Sequence, residues 1–595
     1  MKILLVAINA KYIHSNPAVY SLKSCVGEYE CYVDIIEFTI NQQPSFILKE
    51  IYKKHPDVIA FSCYIWNYNL IDNIIPDLHN ILPYTDIWAG GPEVSYDASN
   101  VVKRWQLRGV MTGPGEGVFH YLVSSYAQNT SDDLPAILDG NSTHRLFLDE
   151  IPFWYRNLTD FENRIIYYES SRGCPFSCSY CLSSIDKTMD FRSVERVCKE
   201  LDFFLEQKVP QVKFVDRTFN CKKEHALPIL QHILENDNGV TNFHFEMAAD
   251  LLDEDYFGLL EKMRPGAVQL EIGVQSTNNK TIAEIDRKMD FNKVADAVER
   301  IIEQGNIHVH LDLIAGLPYE DLQTFRNSFN DVYYLCPVQL QLGFLKVLKG
   351  SNMELWASKY ELVCTNLPPY EVLSTKWLSY EDVCCLKQIE EVVEIYYNSG
   401  QFHGALEYLC TYFDTPYDMY DFIASWYEEH DLFGIQSSRV RKYEILLECG
   451  TARITSFMQQ QEVFNGHSSV SGHKLLLKQA ECMHLSACDY VIGIFRERLT
   501  CDLYLRENMK NRPAFCPSIG KWKDKIRDIL YEESQTHELF PILSDCNYRE
   551  LTKMLHVEVC EHSLGSSPVA MVFCYKKRDT LTKCCSVRYV PIDEN

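Results

Sequence analysis

The sequence predicts an α/β fold in three parts: an N-terminal doubly wound sheet, a partial (β/α)6 barrel, and a mainly helical C-terminal domain with a small β tail. Two observations carry this. Short apolar runs alternate with amphipathic segments in residues 1–131 and again in 164–350, as parallel strands joined by crossover helices do. Past Asn366-Leu367-Pro368-Pro369 the pattern changes to longer amphipathic stretches, Glu381 to Tyr397 and Pro416 to His430 among them, so 366–595 reads as mainly helical. Residues 132–163, with Pro135, Gly140, Pro152 and weak periodicity, read as a linker.

In the first part, strands are expected at Lys2 to Ala7, Cys31 to Phe38, Asp57 to Tyr64, Asp86 to Ala89 and Gly109 to Met111. Five such units suggest a flavodoxin-like, Rossmann-like sheet, whose ligand would sit outside the carboxyl ends of the strands. Those ends are polar or glycine-rich: Asn9 to Tyr12, Ser62 to Tyr64, Gly90-Gly91-Pro92-Glu93 and Gly113-Pro114-Gly115-Glu116-Gly117. Small side chains there let backbone approach a helix or a ligand, although ordinary turn glycine is the plainer explanation for either loop alone. No Gly-x-Gly-x-x-Gly follows the first strand, which counts against a dinucleotide site. The barrel strands are expected at Ile165 to Glu169, Val212 to Asp216, Phe243 to Met247, Val268 to Val274, Val309 to Ile314 and Leu340 to Val347, with active-site groups on the loops that follow them. In the tail, Val557 to Cys560 and Val569 to Tyr575 read as strands.

Composition narrows the function classes. At 595 residues the chain exceeds one core, and 46% hydrophobic with 23% charged content is that of a folded protein. A net charge of −25 repels polyanions, and no basic groove stands against it, so no nucleic-acid partner is expected. Ile3 to Ile8 is apolar but is followed at once by Asn9, Lys11 and His14, and reads as a buried strand rather than a signal core. No apolar run reaches the length of a membrane span. The 23 Cys are thinly spread, so reduced thiols and a cytoplasmic setting are expected. Most, including Cys384-Cys385 and Cys584-Cys585, read as small buried hydrophobes.

Three cysteines are different. Ser171-Arg172-Gly173-Cys174-Pro175-Phe176-Ser177-Cys178-Ser179-Tyr180-Cys181 places thiols at i, i+4 and i+7 directly after the first barrel strand. Gly173 and Pro175 keep this loop out of a regular helix, so the sulfurs can converge. Three thiolates fall one short of a structural zinc site, whereas an iron–sulfur cluster can be held by thiolates and leave an iron for an outside ligand. A zinc site completed by a remote residue, or a plain group of buried Cys, are the alternatives.

The loop resembles the signature of the radical S-adenosylmethionine (SAM) family, including the aromatic Tyr180 before the last Cys. The resemblance implies that Cys174, Cys178 and Cys181 hold a 4Fe-4S cluster whose free iron chelates SAM, with Tyr180 near the adenine, and that one electron yields a 5′-deoxyadenosyl radical. It makes Asp216, at the end of the second strand, a candidate contact to the SAM amine, although the usual Gly-Gly-Glu is absent. Glu271-Ile272-Gly273-Val274-Gln275-Ser276 and Asp312-Leu313-Ile314-Ala315-Gly316-Leu317-Pro318 resemble later strand segments of that family, with Glu271 or Gln275 as ribose or carboxylate contacts and Ile314 against adenine. Glu246 on the third strand is a weaker match.

With the barrel so identified, the first domain is similar to the cobalamin-binding domain of cobalamin-dependent radical SAM enzymes, and the C-terminal region to an accessory domain found after that pair. Gly90, Gly91, Pro92 and Glu93, then Gly113, Gly115 and Glu116, match loops that approach the corrin, with Ser62 and Tyr64 as neighbours. Asp-x-His-x-x-Gly is absent, which argues for a cobalt without an imidazole ligand. The resemblance implies methyl transfer from cobalamin to an unactivated centre of a small-molecule or peptide substrate, with a reductase such as flavodoxin or ferredoxin as electron donor. Alternatives are a cobalamin-assisted rearrangement or ring contraction, a radical SAM enzyme with a degenerate cobalamin domain, a methylthiotransferase, and a noncatalytic iron–sulfur or cobalamin sensor.

Overall fold

The computed structural model describes residues 1–142, 144–185, 187–464, 486–564 and 567–592. Its contacts gather the chain into two units, one of Met1–Ser328 with Leu342–Val383 and one of Phe329–Gln341 with Cys384–Asn595.

The first unit opens with a six-stranded sheet: β1 (Ile3–Asn9), β2 (Val33–Thr39), β3 (Val58–Ser62), β4 (Asp86–Gly90), β5 (Gly109–Thr112) and β6 (Ile137–Asp139), in the order β2-β1-β3-β4-β5-β6. Each neighbouring pair is parallel, with Ile3 of β1 facing Val33 on one side and Val58 on the other. β1 is buried over its whole length because helices cover both faces. Leu4, Val6 and Ile8 enter one apolar cluster, and Ile3, Leu5 and Ala7 the other. The helix Pro17–Ser24 that follows β1 opens with proline at its first position, where the ring's fixed φ suits a helix start. β6 lies within the segment read as a linker. Three residues give too short a run for periodicity to register, yet Leu138 is buried in the second cluster.

A second six-stranded sheet follows. β7 (Ile166–Tyr168) leads into a short antiparallel ribbon of β8 (Ser171–Arg172) and β9 (Asp190–Phe191), which frames the cysteine loop. The sheet continues with β10 (Gln211–Phe214), β11 (Asn242–Glu246), β12 (Val268–Gln275), β13 (His308–Ala315) and β14 (Gln339–Phe344), in the order β14-β13-β12-β11-β10-β7. Strand neighbours succeed one another in the chain without reversal, the pattern of an incomplete barrel. Alternation sends Phe243, Phe245, Leu270, Ile272, Val309 and Leu311 into the core. The opposite face carries Lys213, His244, Glu246, Glu271, His310 and Asp312, brought side by side by the register Lys213↔His244, Glu246↔Glu271 and Glu271↔His310. A small pair, β15 (Val363–Cys364) and β16 (Val372–Ser374), stays with this unit, Val372 packing among Leu317 and Leu345.

The second unit is mainly helical, as the longer sequence period suggests. Its longest helices are Arg439–Phe464 and Ala487–Arg506. It also holds an antiparallel sheet of β17 (Leu555–Cys560), β18 (Val569–Arg578) and β19 (Cys585–Pro591). The third of these escapes sequence reading because Ser586, Arg588 and Tyr589 are exposed on an edge strand.

Candidate functional site

β8 ends at Arg172, and Gly173 then takes φ 98°, the left-handed region. A Cβ at that position would meet the Thr188 carbonyl oxygen at 2.3 Å, so only glycine lets the chain turn into the cysteine loop. Cys174 and Cys178 are buried and Cys181 is half-buried. Ser184 Oγ donates to the carbonyl oxygens of Cys178 and Cys181, at 2.9 and 2.6 Å, and fixes the end of the loop. Thr218 Oγ1 lies 3.8 Å from Cys174 Sγ, and Arg287 Nη1 donates to Cys178 Sγ at 3.6 Å. Burial pushes the Cys178 thiol up, and the Arg287 charge works against that rise.

Among the described residues, no three His, Cys, Asp or Glu side chains are gathered tightly enough for a single metal ion. The donor set, three thiols on one loop with Arg287 beside Cys178 Sγ, suits an iron–sulfur cluster.

Asp216 is fully buried behind this loop. It accepts from the Ser170 N–H at 2.8 Å and from the Ser170 and Ser171 hydroxyls at 2.6 Å each. Burial pushes its carboxyl up to about 6 against those three bonds. Its position is that of a brace tying the end of β10 to the β7–β8 connection, with both carboxylate oxygens occupied. Tyr180 and Ile314, both expected near adenine, border one apolar cluster with Leu317 and Met353.

Gln275 is held at φ 70° where β12 and β13 shift register, and its side chain folds back so that a Cβ on Gly273 would strike its Nε2 at 2.2 Å. Gln275 Oε1, Arg287 Nε and Ser179 Oγ are buried without a hydrogen-bond partner among the described residues. Unpaired polar atoms beside the cysteine loop are what a polar ligand there would satisfy. Glu271 lies farther along the polar face, 3.1 Å from Lys213 Nζ and 2.9 Å from His244 Nε2. Burial pushes its carboxyl up, but His244 and Lys213 outweigh this and hold it near 2. Glu246, with Arg217 no closer than 3.8 Å, is pushed up to about 7 by burial.

A cavity of about 500 Å3 opens where the first sheet reverses its strand order, between the loops after β1 and β3. This is the switch point at which doubly wound sheets take ligands, and the size suits a small-molecule site. The first sheet contributes Asn9, His14 and Asn16, the stacked pair Tyr64 and Trp66 with centroids 4.3 Å apart, and Glu116. From the barrel side come Tyr167, Glu169, Arg172 and Arg217. Arg172 forks onto Glu116 at 2.8 and 3.1 Å and also onto Glu169 at 2.7 and 2.9 Å. Glu116 is buried. Desolvation pushes its carboxyl up, and the Arg172 charge outweighs this and holds it below the usual range.

Of the residues read as corrin neighbours, Tyr64 and Glu116 line the cavity, while the others are not among its lining residues. Ser62 Oγ accepts from Asn16 Nδ2 at 3.1 Å. Gly91 sits at φ 116°, where a Cβ would meet the Cys63 carbonyl oxygen at 2.4 Å, and a Cβ on Gly90 would touch Met111 at 3.4 Å. Pro92 starts a short helix, and Glu93 is buried against the Tyr370 hydroxyl and Lys349 Nζ. A Cβ on Gly113 would meet Asn141 at 2.9 Å, and one on Gly115 would meet Leu22 at 3.0 Å. Protein packing thus accounts for the small side chains in both loops. His14, Trp66, Arg172 and Arg287 were not among the expected site residues. A polar residue in the loop after a buried strand could have pointed to His14, and a cation two residues ahead of Cys174 to Arg172.

Residues 3–123 match the B12 binding domain, 168–332 the radical SAM superfamily, and 358–570 a protein family of unknown function, DUF4080. The cobalamin-dependent radical SAM methyltransferase TokK of Streptomyces tokunonensis is 23% identical over 334 residues, 49% of this chain and 47% of that protein. The hopanoid C-3 methylase of Methylococcus capsulatus is 23% identical over 304 residues, 48% of this chain and 57% of its own. The chain thus spans about half the length of these curated relatives. The structure of OxsB, a cobalamin-dependent SAM radical enzyme with aqua-cobalamin and SAM bound, superposes with a TM-score of 0.52 at 14% identity, covering 90% of this chain and 84% of that one. TsrM from Kitasatospora setae, with cobalamin and a [4Fe-4S] cluster bound, gives 0.52 at 15% identity over 62% of this chain and 82% of its own. These structures share the fold.

Proposed function

We propose that this chain, a radical SAM protein with a B12-binding domain ahead of its barrel, is an enzyme that transfers a methyl group from cobalamin to an unactivated centre of its substrate. The observation that carries this reading is the shared wall of the two sites. The cavity at the switch point is lined from the first sheet and from the barrel at once, and Arg172, two residues before Cys174, belongs to both. A 4Fe-4S cluster supplies a low-potential electron to SAM, and cobalamin supplies a transferable methyl group.

The chain's own residues do the rest. Cys174, Cys178 and Cys181 are the proposed cluster ligands. Arg287 is placed to offset thiolate charge at Cys178, and Gln275 Oε1 and Ser179 Oγ offer the polar contacts a bound amino acid needs. Tyr180 and Ile314 supply an apolar seat for adenine. Tyr64 and Trp66 give the cavity a flat aromatic wall against which a planar ring system can lie. The charged strand face from Lys213 to Asp312 can orient a polar substrate. The electron donor is a reductase such as flavodoxin or ferredoxin, the substrate a small molecule or peptide, and the setting a cytoplasm low in oxygen. No helix among the described residues is long and apolar enough to cross a membrane.

Anaerobic reconstitution with iron, sulfide, hydroxocobalamin and SAM tests the proposal. S-adenosylhomocysteine and 5′-deoxyadenosine formed together support methyl transfer. Deoxyadenosine without S-adenosylhomocysteine would instead favour a rearrangement or a barrel acting without the corrin.

A further inference from the structure

Cys501, Cys560 and Met571 bring three sulfur atoms together within the second unit. Cys501 Sγ lies 3.4 Å from Cys560 Sγ and 3.2 Å from Met571 Sδ, and Cys560 Sγ lies 3.6 Å from Met571 Sδ. Each sulfur comes from a different element: Cys501 from the helix Ala487–Arg506, Cys560 from the end of β17 and Met571 from β18. The strand register explains the meeting. Cys560 pairs with Val569 and Glu558 with Met571, so Cys560 and Met571 are diagonal neighbours on one face of the sheet. The other face sends Val557, Val559, Ala570 and Val572 into an apolar cluster. Cys501 reaches the sulfur face from the helix and closes the triangle.

The surroundings leave sulfur as the donor set. Cys560 and Met571 are buried and Cys501 is half-buried. The acids nearby are committed elsewhere. Glu558, on the same face, accepts from Arg512 Nη2 at 2.8 Å and lies 2.6 Å from His556 Nε2. Asp502, next to Cys501 in the chain, accepts from the N–H groups of Gly404 and Ala405 at 3.1 and 2.8 Å. Other thiols of the chain find oxygen: Cys63 donates to the Phe61 carbonyl, Cys336 to that of Tyr334 and Cys585 to that of Tyr504. Cys501 and Cys560 meet only sulfur among the described residues, and sulfur is a weak acceptor. Two thiols and a thioether form a soft donor set, which carboxylate-seeking cations such as calcium and magnesium do not suit. Zinc takes four ligands, one more than the triangle offers.

We propose that Cys501, Cys560 and Met571 form a site for one Cu(I) ion, bound by three sulfurs. An ion at the centre of the triangle would stand about 2 Å from each sulfur, and metal–thiolate bonds of about 2.3 Å need the three to part only slightly. Two copper–thiolate bonds replace two S–H bonds, both protons leave to solvent, and the Met571 sulfur adds a lone pair. Copper enters as Cu(I), so no electron moves. The site lies wholly in the second unit and owes nothing to the chemistry of the barrel or of the switch-point cavity.

The test uses the full chain with its cluster loaded, so that Cys174, Cys178 and Cys181 are occupied. Protein grown with selenomethionine is titrated anaerobically with Cu(I) against a chromogenic Cu(I) chelator. At one equivalent, copper X-ray absorption should show two sulfur neighbours and one selenium, the selenium being that of residue 571. Met571→Leu should keep the fold by circular dichroism, lose the selenium neighbour and weaken the ion at least about tenfold. Cys501→Ser and Cys560→Ser should each lower the tightly held copper by one equivalent, while Cys516→Ser should leave it unchanged. Copper that binds equally in wild type and in both serine variants would overturn the site. So would bound copper with no selenium neighbour. The difference between wild type and variants is read whether or not the cluster loads, so failure of the barrel chemistry and failure of this site are told apart.

Discussion

The first sheet and the barrel sheet each have six strands, yet the first reverses its order between β1 and β3 while the second follows chain order throughout. Reversal leaves a crevice between diverging loops, and there the first sheet has its cavity, walled by aromatic rings, amides and the Arg172 ion pairs. Chain order curls a sheet on itself, and there the strand face and the loop after β7 converge, with thiols, paired charges and orphaned polar atoms. Chemistry follows connectivity. A crevice can admit a large flat ligand at little cost in polar pairing, whereas a curled sheet concentrates charge that must be paired or left for a ligand.

If the two sites are held by different parts of the fold, they should fail separately. The largest effect is expected at the loop. Cys178→Ala should remove the cluster's visible absorbance and cut SAM cleavage by about a thousandfold or more, while retained cobalamin is unchanged. Loss of both cofactors together would show that the sites are not separable. In the first sheet, Gly91→Ala places a Cβ against the Cys63 carbonyl at an unfavourable φ, and should cost about 3 kcal/mol of stability by urea denaturation.

The two regions should also differ in their response to pH. Glu320, at the end of the barrel loop after β13, is fully buried, with the hydroxyls of Ser276 and Ser328 as its donors among the described residues, and burial pushes its carboxyl up to about 8. The folded state keeps this proton after the unfolded chain has lost it. Stability from the group is therefore full below the unfolded value of 4.5 and falls as pH rises to about 8, by up to about 1.4 kcal/mol per pH unit. Glu320→Gln should flatten that slope in thermal melts at stepped pH. Glu116 is held low by Arg172, so its contribution has the opposite sign: present above the ordinary carboxyl range and lost as pH falls. The smallest effect is expected at the cavity wall, where Trp66→Ala should weaken cobalamin about tenfold by equilibrium dialysis, with SAM cleavage intact.

Much of this was legible in the sequence because spacing and alternation are local. Cys174, Cys178 and Cys181 declare themselves within eight positions. Apart from β6, which reads as linker, and the end of β14, the strands of both sheets show as apolar runs within a residue or two of where they lie. Long-range contacts leave no such trace. Arg287 reaches Cys178 across 109 residues. Asp216 looks like a ligand at a strand end until three donors are found on its carboxylate. Gly91 and Gly113 signal close approach correctly, but sequence does not say whether the approaching atoms belong to a ligand or to Cys63 and Asn141.

The fork from Arg172 to Glu116 has a consequence for how such a protein can change over generations. One guanidinium binds a carboxylate of each sheet, so neither part can be swapped for a homologous one without bringing a matching partner for that charge. Recombination that treats the two parts as interchangeable cassettes would strand a buried carboxylate. Lineages that shuffle these parts should therefore exchange the pair as one inherited block.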